Sequence, residues 1–281
     1  MNDRHRTIWF KSVGTPGAGK RALPEEAALN PTKRRKSDSA ACDDGCHEQD
    51  PWTVYKQRAV VFCGRYVALA HHQEHQSKIV HIESLSIDRP DRRYLLQTVE
   101  RLSHESFLNL LEAYYYENRL FLVWEPVELS VREILDARAP INEPQLAQVI
   151  LPILQGIVFL REKGRALAKL DSKAILLNKD GIVRVAGAEH SCQIQPSEMN
   201  SDTLKLTALA AIMADLMGQK GSGPIWSSLA KDFFRDLTTK RLDELLEHSF
   251  LKEAGGADDL VLRVSIANKI ASYNIKEVNN V

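Results

Sequence analysis

The stretch from Leu160 to Ser191 constrains the fold of this chain more than any other part of the sequence. It reads LREKGRALAKLDSKAILLNKDGIVRVAGAEHS, and its apolar residues and glycines stand in a fixed order and spacing. The fixed positions are Leu160, Gly164, Leu170, Ile175, Leu176, Leu177, Gly181, Val183 and Val185. A frame of this kind is hard to obtain by chance and points to one particular architecture.

This frame resembles the catalytic and magnesium loops of eukaryotic protein kinases, L-H-x-x-G-x-x-H-R-D-L-K-x-x-N-I-L-L-x-x-x-G-x-V-K-I-x-D-F-G. Further along, the run LLEHSFL from Leu245 to Leu251 resembles the L-L-x-H-P-F-L that closes the kinase domain. The run LDSKAILL is most similar to the p21-activated and sterile-20-type serine/threonine kinases. The resemblance implies an α+β, bilobal, protein-kinase-like fold with a small β-rich N-lobe and a helical C-lobe.

The resemblance and the composition divide the chain into four parts. Residues 1–51 mix Gly, Pro, Ser and charges and are expected to be disordered. Residues 52–127 would form the N-lobe, 128–254 the C-lobe, and 255–281 a helical tail. Only about ten residues separate Ser191 from Ser201, which predicts a shortened activation segment. Asn142 is the expected N-cap of a long apolar helix from Glu143 to Lys163.

The positions that carry chemistry in a kinase are replaced in this chain. The aspartate of H-R-D is Lys169, the metal-binding asparagine is Ala174, and the aspartate of D-F-G is Gly187. His81 takes the place of the ATP-binding lysine, and Leu95 that of the helix glutamate that pairs with it. Phosphoryl transfer relies on these groups to position the hydroxyl, the metal and the phosphates. The resemblance therefore implies a pseudokinase with no catalytic residue and no metal site.

A nucleotide pocket, if one is retained, would be weakened. Its expected lining is Gly64, Lys78, Ile79, His81, Trp124, Glu125, Val127 and Leu176. One glycine makes a turn but does not give the close backbone approach that cradles phosphates. A slip of three residues would place Lys78 instead of His81 at the lysine position. Trp124 would close the rear of the pocket, while the hinge backbone of Glu125 and Val127 is still able to pair with adenine.

Several functions remain open at this level. A retained core without catalytic groups favours a scaffold or regulator that binds a protein partner, an active kinase among them. An unconventional, weakly active serine/threonine kinase that binds ATP and recruits Asp171 or Glu189 is the alternative, although both carboxylates are expected at the surface. A decaying kinase duplicate is a further alternative. We expect neither ATP nor magnesium as a cofactor.

The bulk composition excludes some partners. The chain has 281 residues and a formal net charge of zero, so nothing global argues for nucleic acid. No apolar run in the sequence approaches the roughly 20 residues that a membrane span needs. The four scattered cysteines do not form a disulfide framework and favour a reducing intracellular compartment.

Three short motifs lie in the N-terminal region. Gly14 to Lys20 satisfies the G-x-x-x-x-G-K pattern of a phosphate loop, but Arg21 stands where a hydroxyl is required, which favours a flexible linker over a nucleotide hydrolase. Cys42, Cys46 and His47 lack a second ligand pair at zinc-finger spacing. Four consecutive cations resemble a nuclear-import signal and predict a nuclear or a cytoplasmic location; they are Lys33, Arg34, Arg35 and Lys36.

Overall fold

The computed structural model describes residues 45–218, 226–256 and 258–278. The phosphate-loop-like segment, the basic strip Lys33–Lys36 and Cys42 lie outside the described residues, so those interpretations stay predictions. The four-part division of the chain likewise stays a prediction. Residues 45–50, which the sequence assigned to the N-terminal region, contact the sheet: the His47 amide donates to the Ala113 carbonyl, and the Tyr115 amide donates to the His47 carbonyl.

A five-stranded antiparallel sheet forms the first half of the described chain. Its strands are β1 Tyr55–Phe62, β2 Tyr66–His72, β3 Ile79–Ser86, β4 Leu110–Tyr116 and β5 Arg119–Trp124, in the spatial order β1-β2-β3-β5-β4. Strand β5, in the interior of the sheet, is buried from Leu120 to Trp124, whereas β1 at the edge has only two buried residues, Tyr55 and Ala59. His81 of β3 lies directly opposite Leu69 of β2 and Trp124 of β5.

The helix α1, Arg89–Arg101, connects β3 to β4 and packs on one face of the sheet. Its buried residues Leu95 and Leu96 share an apolar cluster with Leu122 and Trp124 of β5. These apolar contacts hold the helix where a kinase would use a lysine–glutamate ion pair.

The second half of the chain is mainly helical. Its helices are α2 Val131–Asp136, α3 Glu143–Glu162, α4 Leu206–Met217, α5 Ser228–Asp236, α6 Leu242–Leu246, α7 Ser249–Lys252 and α8 Asp258–Val278. Short strands accompany them: β6 Leu129–Ser130, β7 Arg165–Ala166, β8 Ile175–Leu177, β9 Val183–Val185 and β10 Cys192–Gln193. The sheet followed by helices confirms the α+β, bilobal, kinase-like fold class.

Helix α3 is the centre of the helical half. It begins at the predicted N-cap, where the Asn142 carboxamide oxygen accepts from the Gln145 amide at 3.0 Å. By length and composition α3 is apolar enough to cross a membrane, but 56% of its most apolar window is buried in the protein. Core burial against α4, α6 and α7 accounts for that composition.

The connection between β9 and α4 is short, as the sequence predicts. Single 3₁₀ turns, Ala188–His190 and Pro196–Glu198, flank β10 before α4 begins at Leu206. Strand β10 pairs antiparallel with β7, Cys192 opposite Ala166. The shortened activation segment of the predicted fold is therefore confirmed.

Candidate functional site

The cleft between the sheet and the β8–β9 hairpin is where a kinase would bind its nucleotide and metal. Lys169 lies in the loop that precedes β8, and the Lys169 side chain is 80% exposed. The Lys169 ammonium lies 2.6 Å from the Asp171 carboxylate, so the position that holds a carboxylate in kinases presents a cation already paired with its neighbour.

Asp171 is engaged by its own loop. One of its oxygens accepts from the backbone amides of Lys173 and Ala174, each at 3.0 Å. Burial alone would raise the pKa of Asp171, but the hydrogen bond and charge of Lys169, together with these two amides, outweigh it and lower the pKa. A carboxylate held ionised by these contacts is a structural brace for the loop and a poor proton acceptor.

The two metal-binding positions offer no side-chain donor. Ala174 carries a methyl group, and its carbonyl accepts from the Ala186 amide at 2.8 Å. Gly187 adopts a left-handed conformation with φ of 96°, a backbone that L side chains rarely adopt. Magnesium prefers carboxylate and water oxygens, so the residues present do not fit the metal that kinases hold here.

A charged cluster that the sequence did not reveal fills the cleft. Arg65, from the β1–β2 turn, places Nη1 2.7 Å from the carboxylates of both Glu83 in β3 and Glu189 after β9. Its guanidinium lies 4.7 Å from the centre of the Trp124 ring, and the Trp124 indole donates to Glu83 at 3.1 Å. We call the three charged residues the Arg65 bridge. It joins the sheet directly to the segment that follows β9.

The Arg65 bridge corrects one expectation. Glu189 was expected at the surface, but its residue is only 9% exposed and its carboxylate is paired with Arg65. Nothing in a linear pattern brings together three residues separated by 18 and 124 positions along the chain. The available signal was a pair of charged residues, Arg65 and Glu83, within otherwise β-forming segments.

The β1–β2 turn closes onto the loop before β8. Gly64 has φ of 72°, and a Cβ built on it would lie 2.4 Å from the Lys173 carbonyl oxygen. The Lys173 ammonium in turn lies 5.5 Å from the centre of the Phe62 ring. Gly64 is thus needed here for close backbone contact with the chain's own loop, and this contact occupies the space above the cleft.

The walls of the expected adenine pocket pack against each other. Val127 and Leu176 form a buried apolar cluster with Cys63, which reaches them from the end of β1. Burial, with smaller contributions from the charges of Glu133 and Glu128, raises the pKa of the Cys63 thiol to about 12. Cys63 is therefore a protonated, apolar filler of this region.

Four further residues of the expected pocket have separate environments. His81 is buried, and burial together with the charge of Arg65 lowers its pKa to about 4, so the ring is neutral and supplies no cation for a phosphate. Lys78 precedes β3, and its ammonium lies 3.3 Å from the Glu112 carboxylate. Ile79 is half exposed. Glu125 accepts from Arg184 at 3.1 Å.

Space remains on the α1 side of Trp124. A cavity of about 480 Å³ lies there, lined among others by Leu96, Val99, Phe107 and Ala188. Trp124 itself is almost fully buried, and Glu189 of the Arg65 bridge lines the same cavity. The bulky residue expected to shut the rear of the nucleotide pocket thus lines an open cavity and also contacts the Arg65 bridge.

Comparison with known proteins agrees with the kinase-like fold. No family model matches the chain. It is 26% identical over 192 residues to the serine/threonine-protein kinase STE20 of Debaryomyces hansenii, covering 65% of this chain and 18% of that protein. It is 22% identical over 225 residues to STE20 of Candida glabrata, covering 75% and 24%, and 23% identical over 126 residues to PAK 5 of Rattus norvegicus, covering 43% and 18%.

The chain is a protein-kinase-like domain related to the Ste20 and PAK kinases. It spans about a fifth of the length of the curated relatives it matches. The resemblance seen in the frame from Leu160 to Val185 is therefore confirmed at the level of the family, and what each relative does is a property of that relative.

Proposed function

We propose that this Ste20/PAK-related domain is a catalytically inactive, protein-kinase-like protein that binds a protein partner as a scaffold or regulator. The observation that carries the proposal is the Arg65 bridge. Two carboxylates and the Trp124 ring hold the Arg65 guanidinium in the cleft where a kinase would bind its nucleotide.

Loss of catalysis follows from the charges in the cleft. A phosphoryl-transfer enzyme stabilises a dianionic group with a lysine and magnesium and positions the acceptor hydroxyl with a carboxylate. Here the corresponding positions present the neutral His81, the methyl group of Ala174, the bare backbone of Gly187 and the paired cation Lys169. Each missing electrostatic element removes orders of magnitude in rate.

Catalysis by relocated residues is disfavoured by contacts already made. Asp171 accepts from Lys169 and two backbone amides, and Glu189 is paired with Arg65. Freeing either carboxylate for a metal would leave a cation or a set of donors unpaired. We therefore propose that the domain uses neither ATP nor magnesium.

The partner that we propose is a protein, with an active Ste20-type kinase as the first candidate. The retained core argues for this role, since a buried α3 and a five-stranded sheet keep the kinase-like fold although the cleft lacks the usual catalytic groups. The location that we propose is the nucleus or the cytoplasm.

Nucleotide binding provides the test. Thermal unfolding of the full chain is followed with saturating ATP, with and without magnesium, beside an active Ste20-type kinase domain. A ligand at 100 times its Kd stabilises a fold by about 2.7 kcal/mol, which the active kinase should display and this chain should not. Magnesium-dependent phosphate transfer by the wild-type chain, abolished in Glu189→Gln, would overturn the proposal.

Partner binding is measured separately. Sedimentation velocity of the chain mixed with the catalytic domain of a Ste20-type kinase should show a complex that neither protein forms alone. Independent sedimentation at concentrations of tens of micromolar would argue against this partner.

A further inference from the structure

A cluster of metal-ligating side chains lies at the β2–β3 turn, outside the cleft. His72 ends β2, and Glu74 and His75 follow it in the turn. One ligand atom from each of the three residues lies within 4.8 Å of the other two. None of the groups discussed for the kinase-like cleft belongs to this cluster.

The backbone of the turn is held from both sides. The His72 amide donates to the Lys78 carbonyl at 3.0 Å, and the Lys78 amide donates to the His75 carbonyl at 2.9 Å. The Gln73 amide donates to the Val54 carbonyl at 2.9 Å, and its side-chain amide donates to the Trp52 carbonyl at 2.8 Å. Little backbone freedom is therefore lost when the three side chains converge on an ion.

The two imidazole rings already lie together. The rings of His72 and His75 are stacked, with centroids 5.2 Å apart and an interplanar angle of 27°. The Tyr55 ring supports the His72 ring edge-on at 5.6 Å. Glu74 and His75 are exposed, so an ion from solution reaches them without any opening of the fold.

We propose that His72, Glu74 and His75 form a binding site for one divalent transition-metal ion of the zinc class. Two imidazoles and one carboxylate suit zinc, whereas magnesium and calcium prefer sets made of oxygen alone. Three protein ligands leave a fourth tetrahedral position for water or for a donor from another molecule. The site thus links the end of β2 to the turn and presents one exchangeable ligand.

Small side-chain rotations complete the coordination. Ligand atoms about 2.0–2.1 Å from a tetrahedral zinc ion lie about 3.4 Å from one another, so separations of up to 4.8 Å have to close. Rotation about the side-chain torsions of exposed residues supplies such movements.

One proton shifts when the ion binds. The Glu74 amide donates to His72 Nδ1 at 3.2 Å, so the neutral ring carries its proton on Nε2. Coordination through Nε2 moves that proton to Nδ1. The Glu74 amide then donates to a water molecule in place of His72 Nδ1, and water is available at this exposed turn. Among the residues that the structure describes, the bond from the Glu74 amide is the hydrogen bond of the His72 ring that has to break.

Histidine-resolved NMR tests the site directly. The full chain, free of any affinity tag and labelled with ¹⁵N-histidine, is titrated with Zn²⁺, while calorimetry counts the equivalents bound. We expect the imidazole signals of two of the nine histidines to change with one equivalent of zinc. His75→Ala should remove that equivalent or weaken it at least tenfold, and Glu74→Gln should weaken it less.

Gln73→Ala is the matched control, because Gln73 lies in the same turn and its carboxamide is not one of the three ligands. It should keep the zinc-dependent change of both histidine signals. Identical titrations of the wild-type chain and His75→Ala would overturn the proposal. Equal loss in Gln73→Ala and His75→Ala would do the same, because the effect would then follow the shape of the turn and not its ligands.

Discussion

Arg65→Ala offers the sharpest test of how the cleft is held. The Arg65, Glu83 and Glu189 side chains are only 16%, 12% and 5% exposed, so their charges are largely removed from water. Removing one partner of a buried ion pair typically costs 3–5 kcal/mol, because the remaining charge loses its compensation. Partial exposure of Arg65 admits some solvent, so we expect a loss of about 2 kcal/mol in the free energy of unfolding.

Urea unfolding measures this loss, with Arg132→Ala as the matched control. Arg132 forms an ion pair with Asp136 one helical turn away, and both side chains are at least half exposed. Such a surface pair is worth about 0.3–0.5 kcal/mol. If Arg65→Ala costs no more than Arg132→Ala, the Arg65 bridge does not hold the cleft and the reasoning fails.

A combined variant separates the charge effect from lost packing. In Arg65→Ala with Glu83→Gln and Glu189→Gln, no buried charge is left unpaired. The triple variant should be more stable than the sum of the three single changes predicts, by a coupling of about 1–3 kcal/mol. Simple additivity would show that the three residues act independently.

Three further predictions concern neighbouring groups. Gly64→Ala should destabilise the fold by at least about 1 kcal/mol more than Gly164→Ala, measured in urea, because both glycines have positive φ but only at Gly64 would a Cβ meet the Lys173 carbonyl. The pKa of Asp171 is lowered from 3.8, so its contribution to stability is present above that pH and lost as the pH falls below it; Asp171→Asn should flatten the pH dependence of stability in this acid range. Folding lowers the pKa of His81 from 6.5 to about 4, so as the pH falls from 6.5 towards 4 the unfolded chain takes up a proton that the folded chain does not. The free energy of unfolding should therefore decrease over this range by up to about 3 kcal/mol. His81→Gln should remove this decrease in urea titrations run at each pH.

The sequence predicted most of the framework. The glycine and aliphatic spacing around β8 and β9 identified the kinase-like fold, because apolar packing positions repeat through a family even where chemistry is lost. The capping position of Asn142 and the apolar run after it predicted α3 to within a residue at its end. These are local patterns, in which hydrogen bonding and burial depend on near neighbours.

The contents of the cleft could not be predicted in the same way. The sequence does show which kinase positions lack a catalytic or metal-binding side chain, because the residues there can be read directly: Lys169, Ala174 and Gly187. The ion pair in the cleft was not evident, because Arg65 meets Glu189 only after the sheet and the β8–β9 hairpin have come together. The expectation of a surface position for Glu189 was wrong for this reason: a lone carboxylate in a sequence carries no sign of its distant partner.

The left-handed backbone at Gly187 has a consequence for the Arg65 bridge. Most L side chains would pay on the order of 1–2 kcal/mol in this conformation, and Asp or Asn would pay less because these residues visit it more readily. The conformation is tied to its surroundings, because the Gly187 carbonyl accepts from the His190 amide and so starts the 3₁₀ turn that carries Glu189 to Arg65. A substitution at Gly187 would therefore be felt at the Arg65 bridge, because the same short backbone turn sets the position of the Glu189 carboxylate.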